Sequence, residues 1–447
     1  MSTSKKHFIC SECSYKSLKW IGCCPGCQSW DSFHEKEEYS SHSHANTKHE
    51  TIALVPLKEI KNTTQERMCC EIDEWDRVLG GGIMPNSLLI LTGDPGIGKS
   101  TLLLQVSHKL AEKYVVHYFS TEESLQQVQA RAQRLSCTTN NLLFSDKANL
   151  DTIIGHAKAE KPDILIIDSI QNCFSEESRY VQGSVNQLRD TTFQLMRLAK
   201  DNNIAILMSG HITKDGTIAG PKTLEHMVDG VFYLQGEDRW QTRILRTVKN
   251  RFGTINEIGF FEMQTGGLKQ VHNINEHLLS EIQHSPGSVL VSYVEGSRPL
   301  LLELQALTIE SKLGIPQRVV SGLDHKQVVL IAAILEKYLH VKMSAADIFF
   351  KVSGGFKIKE SSADLGIALA LLSSFFQQPL PPKSIALGEI NLTGNIQPVN
   401  QINVLIREAE KFGIQQLFVA KNQTVEKTQC KIKRFSNVYE LLALFES

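Results

Sequence analysis

The sequence predicts an α/β protein with a nucleotide-binding parallel sheet at its centre, a small metal module before it and a second α/β domain after it. Three observations support this prediction: a phosphate-binding loop between a strand and a helix, two Cys-x-x-Cys pairs near the N-terminus, and strands that alternate with helices. Alternating strands and helices favour parallel sheets with right-handed crossovers.

The phosphate-binding loop fits the pattern G-x-x-x-x-G-K-[ST]. An apolar run over residues 87–92 predicts a buried strand before it, and residues 102–113 predict a helix after it. In such a loop the lysine reaches the β- and γ-phosphates and the following hydroxyl binds Mg²⁺, which assigns these roles to Lys99 and Ser100. An ordinary glycine-rich turn explains neither the full pattern nor its flanks. The predicted nucleotide-binding residues are Gly93, Asp94, Pro95, Gly96, Ile97, Gly98, Lys99, Ser100 and Thr101.

Two acidic residues follow predicted strands of the same sheet. The run 163–168 is apolar and ends in Asp168, which is typical of a carboxylate that holds Mg²⁺. The strand over residues 115–121 is followed by Glu122, which could polarise an attacking water. A carboxylate that merely opens the next helix is the alternative for Glu122, and the residues alone leave it open.

The N-terminal cysteines predict a zinc module over residues 1–33. Two Cys-x-x-Cys pairs separated by ten residues can place four thiolates around one Zn²⁺, whereas a redox pair would need only one of them. Trp20 and Trp30 flank the second pair and are expected to cover the metal, and residues 34–50 are expected to form a flexible linker. The predicted ligands are Cys10, Cys13, Cys24 and Cys27.

Composition excludes few functions. The 447 residues carry 47 Lys and Arg against 48 Asp and Glu, so the net charge of −1 gives no global sign of nucleic-acid binding. The N-terminus lacks an apolar signal core, and the longest apolar run, 365–376, is too short to span a bilayer. We therefore expect a cytoplasmic protein with no membrane partner.

Basic residues concentrate in one stretch and in one of two long polar connections. Residues 239–253 hold several cations, including Lys249 and Arg251, which indicates either a solvated strand face or cations that contact phosphates. Those phosphates could belong to a nucleotide across a subunit boundary or to nucleic acid. The connections cover residues 174–189 and 213–226, and the second contains Lys214 and Lys222. Connections this long are usually functional or mobile.

Taken in order, the zinc module, the phosphate loop, Glu122-Glu123-Ser124 and Lys249-Asn250-Arg251-Phe252-Gly253 resemble the RadA (Sms) family of bacterial DNA-repair proteins. The resemblance implies a RecA-like ATPase core over residues 51–272, with Glu122 as the water-activating residue. It also implies that Lys249 and Arg251 serve the ATPase and its DNA-dependent activity, and that the long connections, with Lys214 and Lys222, hold DNA.

The same resemblance implies an ATP-driven motor on single-stranded and branched DNA, with ATP, Mg²⁺ and Zn²⁺ as cofactors. Such a motor would promote branch migration of recombination intermediates, act as a hexameric ring and work beside a RecA-type recombinase. Serine in place of the family's usual glycine after Cys13 is one departure. An ATP-driven switch without translocation is an alternative.

Residues 273–447 change pattern. Two apolar runs, 288–296 and 299–307, predict a hairpin, and helices interleaved with strands follow. This order resembles the proteolytic domain of Lon, whose Ser-Lys dyad would be expected at Ser362 and at position 403. Position 403 is asparagine, which cannot act as a general base, and the next lysine, Lys411, is over two helical turns away. An ATP-dependent protease is therefore the disfavoured alternative.

Overall fold

The structure is a computed structural model of the chain. It describes residues 5–10, 16–17, 19–25, 29–38, 55–59, 66–176, 182–211, 224–237, 240–280, 282, 284–312 and 315–446. The chain forms two compact units, residues 1–64 and residues 65–447. The domain limits expected from the sequence at 50 and 272 stay predictions.

The first unit contains a three-stranded antiparallel sheet in the order β2-β1-β3. Its strands are β1 (Lys5–Cys10), β2 (Lys16–Ser17) and β3 (Phe33–Glu38). The expectation that a flexible linker begins at residue 34 is wrong for residues 34–38. These residues pair with β1 along its whole length, from Cys10 opposite Phe33 to Lys5 opposite Glu38. These residues form a strand because their backbone pairs with β1, a distant segment, although their sequence has no apolar periodicity.

A nine-stranded sheet forms the first half of the second unit, in the order β12-β11-β10-β9-β4-β8-β7-β5-β6. The six strands from β4 to β9 are parallel to one another. Strands β10 to β12 continue the sheet beyond β9, each antiparallel to the strand before it. The strands are β4 (Leu88–Gly93), β5 (Val116–Ser120), β6 (Leu142–Ser145), β7 (Ile164–Asp168), β8 (Ala205–His211), β9 (Gly230–Glu237), β10 (Trp240–Asn250), β11 (Ile258–Gln264) and β12 (Gly267–Gln270).

Helices cover both faces of this sheet. Alternate residues of β4 enter different cores: Leu89 and Leu91 pack with α2, whereas Leu88 and Ile90 pack with α4 and α5. Burial on both faces explains why the parallel strands read as continuous apolar runs. The helices are α1 (Asp73–Val78), α2 (Lys99–Leu110), α3 (Leu125–Arg134), α4 (Leu150–Glu160) and α5 (Val185–Asn202).

The two long connections have different outcomes. The first was expected to extend to residue 189, but α5 already begins at Val185, where the side chain of Ser184 caps the helix by accepting from the Gln187 amide at 3.3 Å. Serine and threonine caps compete well for such amides, so polar composition alone misplaced the helix start. Most of the second connection, residues 212–223, lies outside the described residues, and Lys214 and Lys222 with it.

A seven-stranded mixed sheet forms the rest of the second unit, in the order β15-β16-β14-β13-β17-β20-β21. The predicted hairpin is confirmed as β13 paired with β14, with Glu295 opposite Arg298. The strands are β13 (Ser288–Glu295), β14 (Arg298–Glu310), β15 (Arg318–Ser321), β16 (Ala346–Val352), β17 (Ser384–Leu387), β18 (Glu389–Ile390), β19 (Ile396–Gln397), β20 (Gln416–Ala420) and β21 (Lys431–Phe435), of which β18 and β19 form a separate pair. The helices are α6 (Ile274–Leu279), α7 (His325–Leu339), α8 (Asp364–Phe376) and α9 (Ile402–Lys411).

The two large sheets share a core within the second unit. Ile258 and Phe260 of β11 belong to the same apolar cluster as β13, β14 and α8. Two ion pairs accompany this packing: Arg298 with the fully buried Glu74 at 2.7 Å, and Arg246 with Glu295. In the part of the chain that the structure describes, no helix has the length and apolar character needed to span a membrane.

Candidate nucleotide-binding site

The phosphate loop follows β4 at the carboxyl edge of the parallel strands and leads into α2, which begins at Lys99. Gly93 is required by space as well as by conformation, whereas Gly98 is required by its conformation, since the end of the Met263 side chain could move aside. Gly93 has φ +153°, and a Cβ there would lie 2.2 Å from the carbonyl oxygen of Leu234. Gly98 has φ +114°, and a Cβ there would lie 2.7 Å from Cε of Met263. The neighbouring strands therefore hold the loop in its tight form.

Lys99 lies inside the loop, with a side chain that is almost fully buried. Its Nζ donates to the carbonyl oxygens of Gly93 and Asp94, each at 2.9 Å. Burial lowers the pKa of Lys99, while the carboxylates of Asp168, Glu122 and Asp94 oppose that shift. The ammonium group is thus desolvated and bonded to two carbonyl oxygens of the loop. Phosphate oxygens of a bound nucleotide would replace these carbonyl oxygens as its hydrogen-bond acceptors.

Asp168 is the last residue of β7, and β7 lies between β5 and β8 in the sheet. Its side chain is buried, and both oxygens accept hydrogen bonds: Oδ2 from the Tyr118 hydroxyl at 2.8 Å and Oδ1 from the Ser209 hydroxyl. Burial, followed by the charge of Asp168, raises the pKa of Tyr118, so the phenol stays protonated and acts as a hydrogen-bond donor. Sequence reasoning missed both donors, although Ser209 lies among polar residues at the end of an apolar strand.

Glu122 lies at the same edge of the sheet. Its Oε1 accepts a hydrogen bond from the Ser169 hydroxyl, next to Asp168 in the chain. The helix that follows is capped by Ser124, which forms a reciprocal capping box with Gln127, so Glu122 does not open that helix. The adjacent Glu123 is engaged by Arg131 instead. The structure therefore brings Lys99, Asp168 and Glu122 together; the catalytic role of Glu122 stays a prediction.

Lys249 and Arg251 lie at the opposite end of the sheet. In the register of β10, β9 and β4, Asn250 pairs with Gly230, and Gly230 pairs with Leu89 at the start of β4. From there to the phosphate loop the strand rises about 3.3 Å per residue, or roughly 13 Å to Gly93. The structure thus does not bring these two cations to the nucleotide site of their own chain.

Both cations contact the segment that precedes β9. Lys249 Nζ donates to the Glu225 carbonyl, and burial, followed by the charge of Arg251, lowers its pKa. The Arg251 guanidinium pairs with Asp229 at 2.9 Å and donates to the His226 carbonyl at 3.3 Å. About 45% of the Arg251 side chain remains exposed, so it could also contact a phosphate from outside the chain.

The residues fit ATP with Mg²⁺. A desolvated lysine, a buried carboxylate whose described partners are hydroxyl donors, and a hydroxyl at Ser100, the second residue of α2, form the donor set that a magnesium-bound triphosphate requires. Thr101 follows on the same first turn of the helix, whose N-terminus favours anions.

The two predicted ligands that the structure describes fit zinc. Cys10 and Cys24 are buried in one cluster with Phe33, which places two thiols together in a dry setting. Cys13 and Cys27 lie outside the described residues. The expectation that Trp20 and Trp30 cover the metal stays a prediction; the two residues are 54% and 77% exposed.

The region that resembles Lon has no lysine where a dyad would need it. The Ser362 hydroxyl has the carboxylate of Glu360 as a partner at 3.4 Å. Asn403 is occupied structurally, because its Oδ1 accepts from the Glu426 amide at 3.0 Å. Lys411 pairs with Glu408 at 2.8 Å on its own helix. The absence of proteolysis stays a prediction.

The parallel sheet, the glycine-constrained loop and the converging lysine and carboxylates define a P-loop ATPase. Comparison with known families agrees with this class. A family model described as an AAA domain matches residues 56–217. One described as a rubredoxin metal binding domain matches residues 8–35, and one described as subunit ChlI of Mg-chelatase matches residues 312–423.

Whole-chain relatives identify the family. The DNA repair protein RadA of Streptococcus pyogenes is 46% identical over 425 residues, covering 94% of each chain. The protein of the same name from Aquifex aeolicus is 38% identical over 442 residues, covering 99% of each chain. The chain belongs to the RadA family. The predicted fold class is confirmed: α/β, with a RecA-like P-loop ATPase core, an N-terminal zinc-ribbon-type module and a C-terminal Lon-like domain.

Among solved structures, that of the RadB recombinase is similar over 46% of this chain and 100% of its own, with 20% identity and a TM-score of 0.37. The flagellar accessory protein FlaH from Methanocaldococcus jannaschii is similar over 46% of this chain and 98% of its own, with 18% identity and a TM-score of 0.37. Scores this low carry no argument about function.

Proposed function

We propose that this protein is a DNA-stimulated ATPase motor that binds single-stranded and branched DNA and promotes branch migration during recombination and repair. The observation that carries the proposal is the separation of Lys249 and Arg251 from their own chain's phosphate loop. Cations that serve hydrolysis from that position need a nucleotide on a neighbouring subunit, which supports a ring, by family resemblance a hexamer. The names of the RadA relatives support DNA repair as the setting.

The proposed division of labour follows the two ends of the sheet. At one end, Lys99 and Ser100 hold the triphosphate and Mg²⁺, Asp168 orients the metal, and Glu122 activates the attacking water. At the other end, Lys249 and Arg251 contact phosphate and are tied to residues 225–229. That segment follows the connection with Lys214 and Lys222, the proposed DNA-binding residues. A change in the phosphate contacts of Lys249 and Arg251 would thereby alter residues 225–229, which follow the proposed DNA-binding connection.

Zinc bound by Cys10, Cys13, Cys24 and Cys27 completes the proposed cofactor set. A module of about thirty residues has too little apolar core to fold alone, so metal binding would supply the stabilising free energy. A RecA-type recombinase is the proposed protein partner.

The proposal is tested by ATP hydrolysis with and without single-stranded DNA, together with displacement of a strand from a branched substrate. We expect single-stranded DNA to stimulate hydrolysis by the wild-type protein, and Lys99→Ala to abolish both activities. Arg407→Ala, which removes an exposed arginine whose ion-pair partner among the described residues is Glu426, is the matched control and should behave as wild type. Hydrolysis that DNA does not change would favour the switch without translocation.

A further inference from the structure

The two exposed tryptophans of the first unit both lie close to Gly22. A Cβ placed on Gly22 would lie 3.8 Å from the six-membered ring of Trp20 and 3.9 Å from that of Trp30. Both rings therefore flank the same point over the backbone of a residue that has no side chain. The rings leave 54% and 77% of their residues' surface exposed, which is unusual for the largest apolar side chain.

The backbone beneath these rings is held by hydrogen bonds. Cys23 and Trp30 form an antiparallel bridge. The Cys24 amide donates to the Ser29 carbonyl at 2.9 Å, and the Asp31 amide donates to the Gly22 carbonyl at 2.9 Å. Two aromatic side chains with few rotatable bonds, on a backbone held by these hydrogen bonds, form a preorganised surface that loses little entropy when it binds.

The size of this surface limits what can bind it. Two indoles exposed to this degree offer roughly 200–350 Å² of apolar area. A stable protein interface takes about 800 Å² from each partner, and the described neighbours of the rings include the exposed polar residues Lys19 and Asp31. Two exposed flat rings suit stacked bases better, because base stacking on aromatic rings tolerates any sequence.

We propose that Trp20 and Trp30 form a stacking platform for unpaired bases of single-stranded DNA, a contact additional to those of the ATPase core. The inference rests on the proposed function, since it takes single-stranded DNA as the ligand. The platform binds bases, whereas the proposed contacts of Lys214 and Lys222 are with backbone phosphates, so the two kinds of contact differ in what they require of the strand.

The test measures binding of full-length protein to fluorescein-labelled oligothymidylate and to an abasic oligonucleotide of equal length, by fluorescence anisotropy at physiological salt. Alanine at a stacking position weakens binding by about fivefold or more for each base. We therefore expect Trp20→Ala/Trp30→Ala to weaken binding of oligothymidylate by at least that factor, with little change for the abasic strand. Trp20→Phe/Trp30→Phe should restore most of the affinity, because phenylalanine also stacks.

Tyr439→Ala is the matched control, since it removes an aromatic side chain that is 55% exposed in the second unit. Zinc content and the thermal midpoint should match wild type in every variant. Unchanged binding of oligothymidylate by the double alanine variant would overturn the inference, as would an equal loss on both strands. Loss of recombinase binding with DNA binding intact would overturn it in favour of a protein partner. Wild type that binds neither strand would instead refute the proposed function.

Discussion

The Ser209 hydroxyl of β8 donates a hydrogen bond to Oδ1 of Asp168 at the end of β7, while Tyr118 of β5 holds Oδ2 at 2.8 Å. The carboxylate is thus oriented from both neighbouring strands, and neither donor belongs to a recognised nucleotide-binding motif. Outer partners of this kind fix the direction in which a carboxylate presents its remaining lone pairs to a metal.

Ser209→Ala should raise the Mg²⁺ concentration needed for half-maximal ATP hydrolysis by about tenfold, because one oxygen of Asp168 loses its donor. Saturating Mg²⁺ should restore most of the rate. A magnesium titration of hydrolysis measures both. Ser107→Ala is the control, since that buried hydroxyl donates to the Leu103 carbonyl within its own helix α2. An equal drop at every Mg²⁺ concentration would contradict the assigned role.

Arg251→Ala and Lys99→Ala should complement each other when mixed. Each variant alone should hydrolyse little ATP, but a mixed ring contains sites in which an intact phosphate loop faces an intact Arg251 from the neighbour. Hydrolysis measured across mixing ratios should therefore rise above the sum of the two variants. A strictly additive response at all ratios would show that Arg251 acts within its own chain.

Glu74→Gln should reduce the free energy of unfolding by about 3 kcal/mol, the cost typical of breaking a buried ion pair. Glu74 is fully buried, bonds Arg298 at 2.7 Å and accepts from the Phe260 amide at 2.9 Å, where the two large sheets meet. Urea denaturation measures the change. Glu426→Gln breaks an exposed pair with Arg407 and should cost less than about 1 kcal/mol. Equal costs would show that Glu74 is not a structural anchor.

The stability of the fold should decrease as the pH is lowered, because of His117. This side chain is buried on β5, its ring centroid lies 5.1 Å from that of His156, and burial followed by the charge of His156 lowers its pKa, with Glu160 opposing. Because the folded pKa lies below the unfolded value, the unfolded state binds more protons: the contribution is complete above about pH 6.5 and is lost as pH falls through the folded pKa.

His117→Gln should consequently lose less unfolding free energy than wild type between about pH 8 and about pH 5. Urea denaturation at several pH values measures the slope. His325→Gln, a change at an exposed histidine, should keep the wild-type slope. A His117→Gln slope equal to that of wild type would mean that other groups set the pH dependence.

The purified protein should leave casein intact with or without ATP. Asn403 accepts from the Glu426 amide and cannot take the Ser362 proton, so no general base is in reach by that route. Gel analysis of casein after incubation is the measurement, with Ser362→Ala as the control. Degradation by wild type that disappears in Ser362→Ala would restore the protease alternative.

Much of the architecture followed from local pattern. The strands that lead to Gly93 and Asp168 and the β13–β14 hairpin were predictable, because burial on one or both faces leaves a clear apolar pattern. The errors were of another kind. Phe33–Glu38 became a strand through pairing with β1, and α5 began early through its cap.

The sequence by itself determined that this protein binds a nucleoside triphosphate, since nine consecutive residues carry both the turn and the chemistry. It also indicated the carboxylates at Glu122 and Asp168. Only the tertiary structure decided that Ser209 and Tyr118 hold Asp168, that Lys249 and Arg251 lie at the far end of the sheet, and that Trp20 and Trp30 face outward. Those relationships depend on strand order and register, which join residues far apart in the chain.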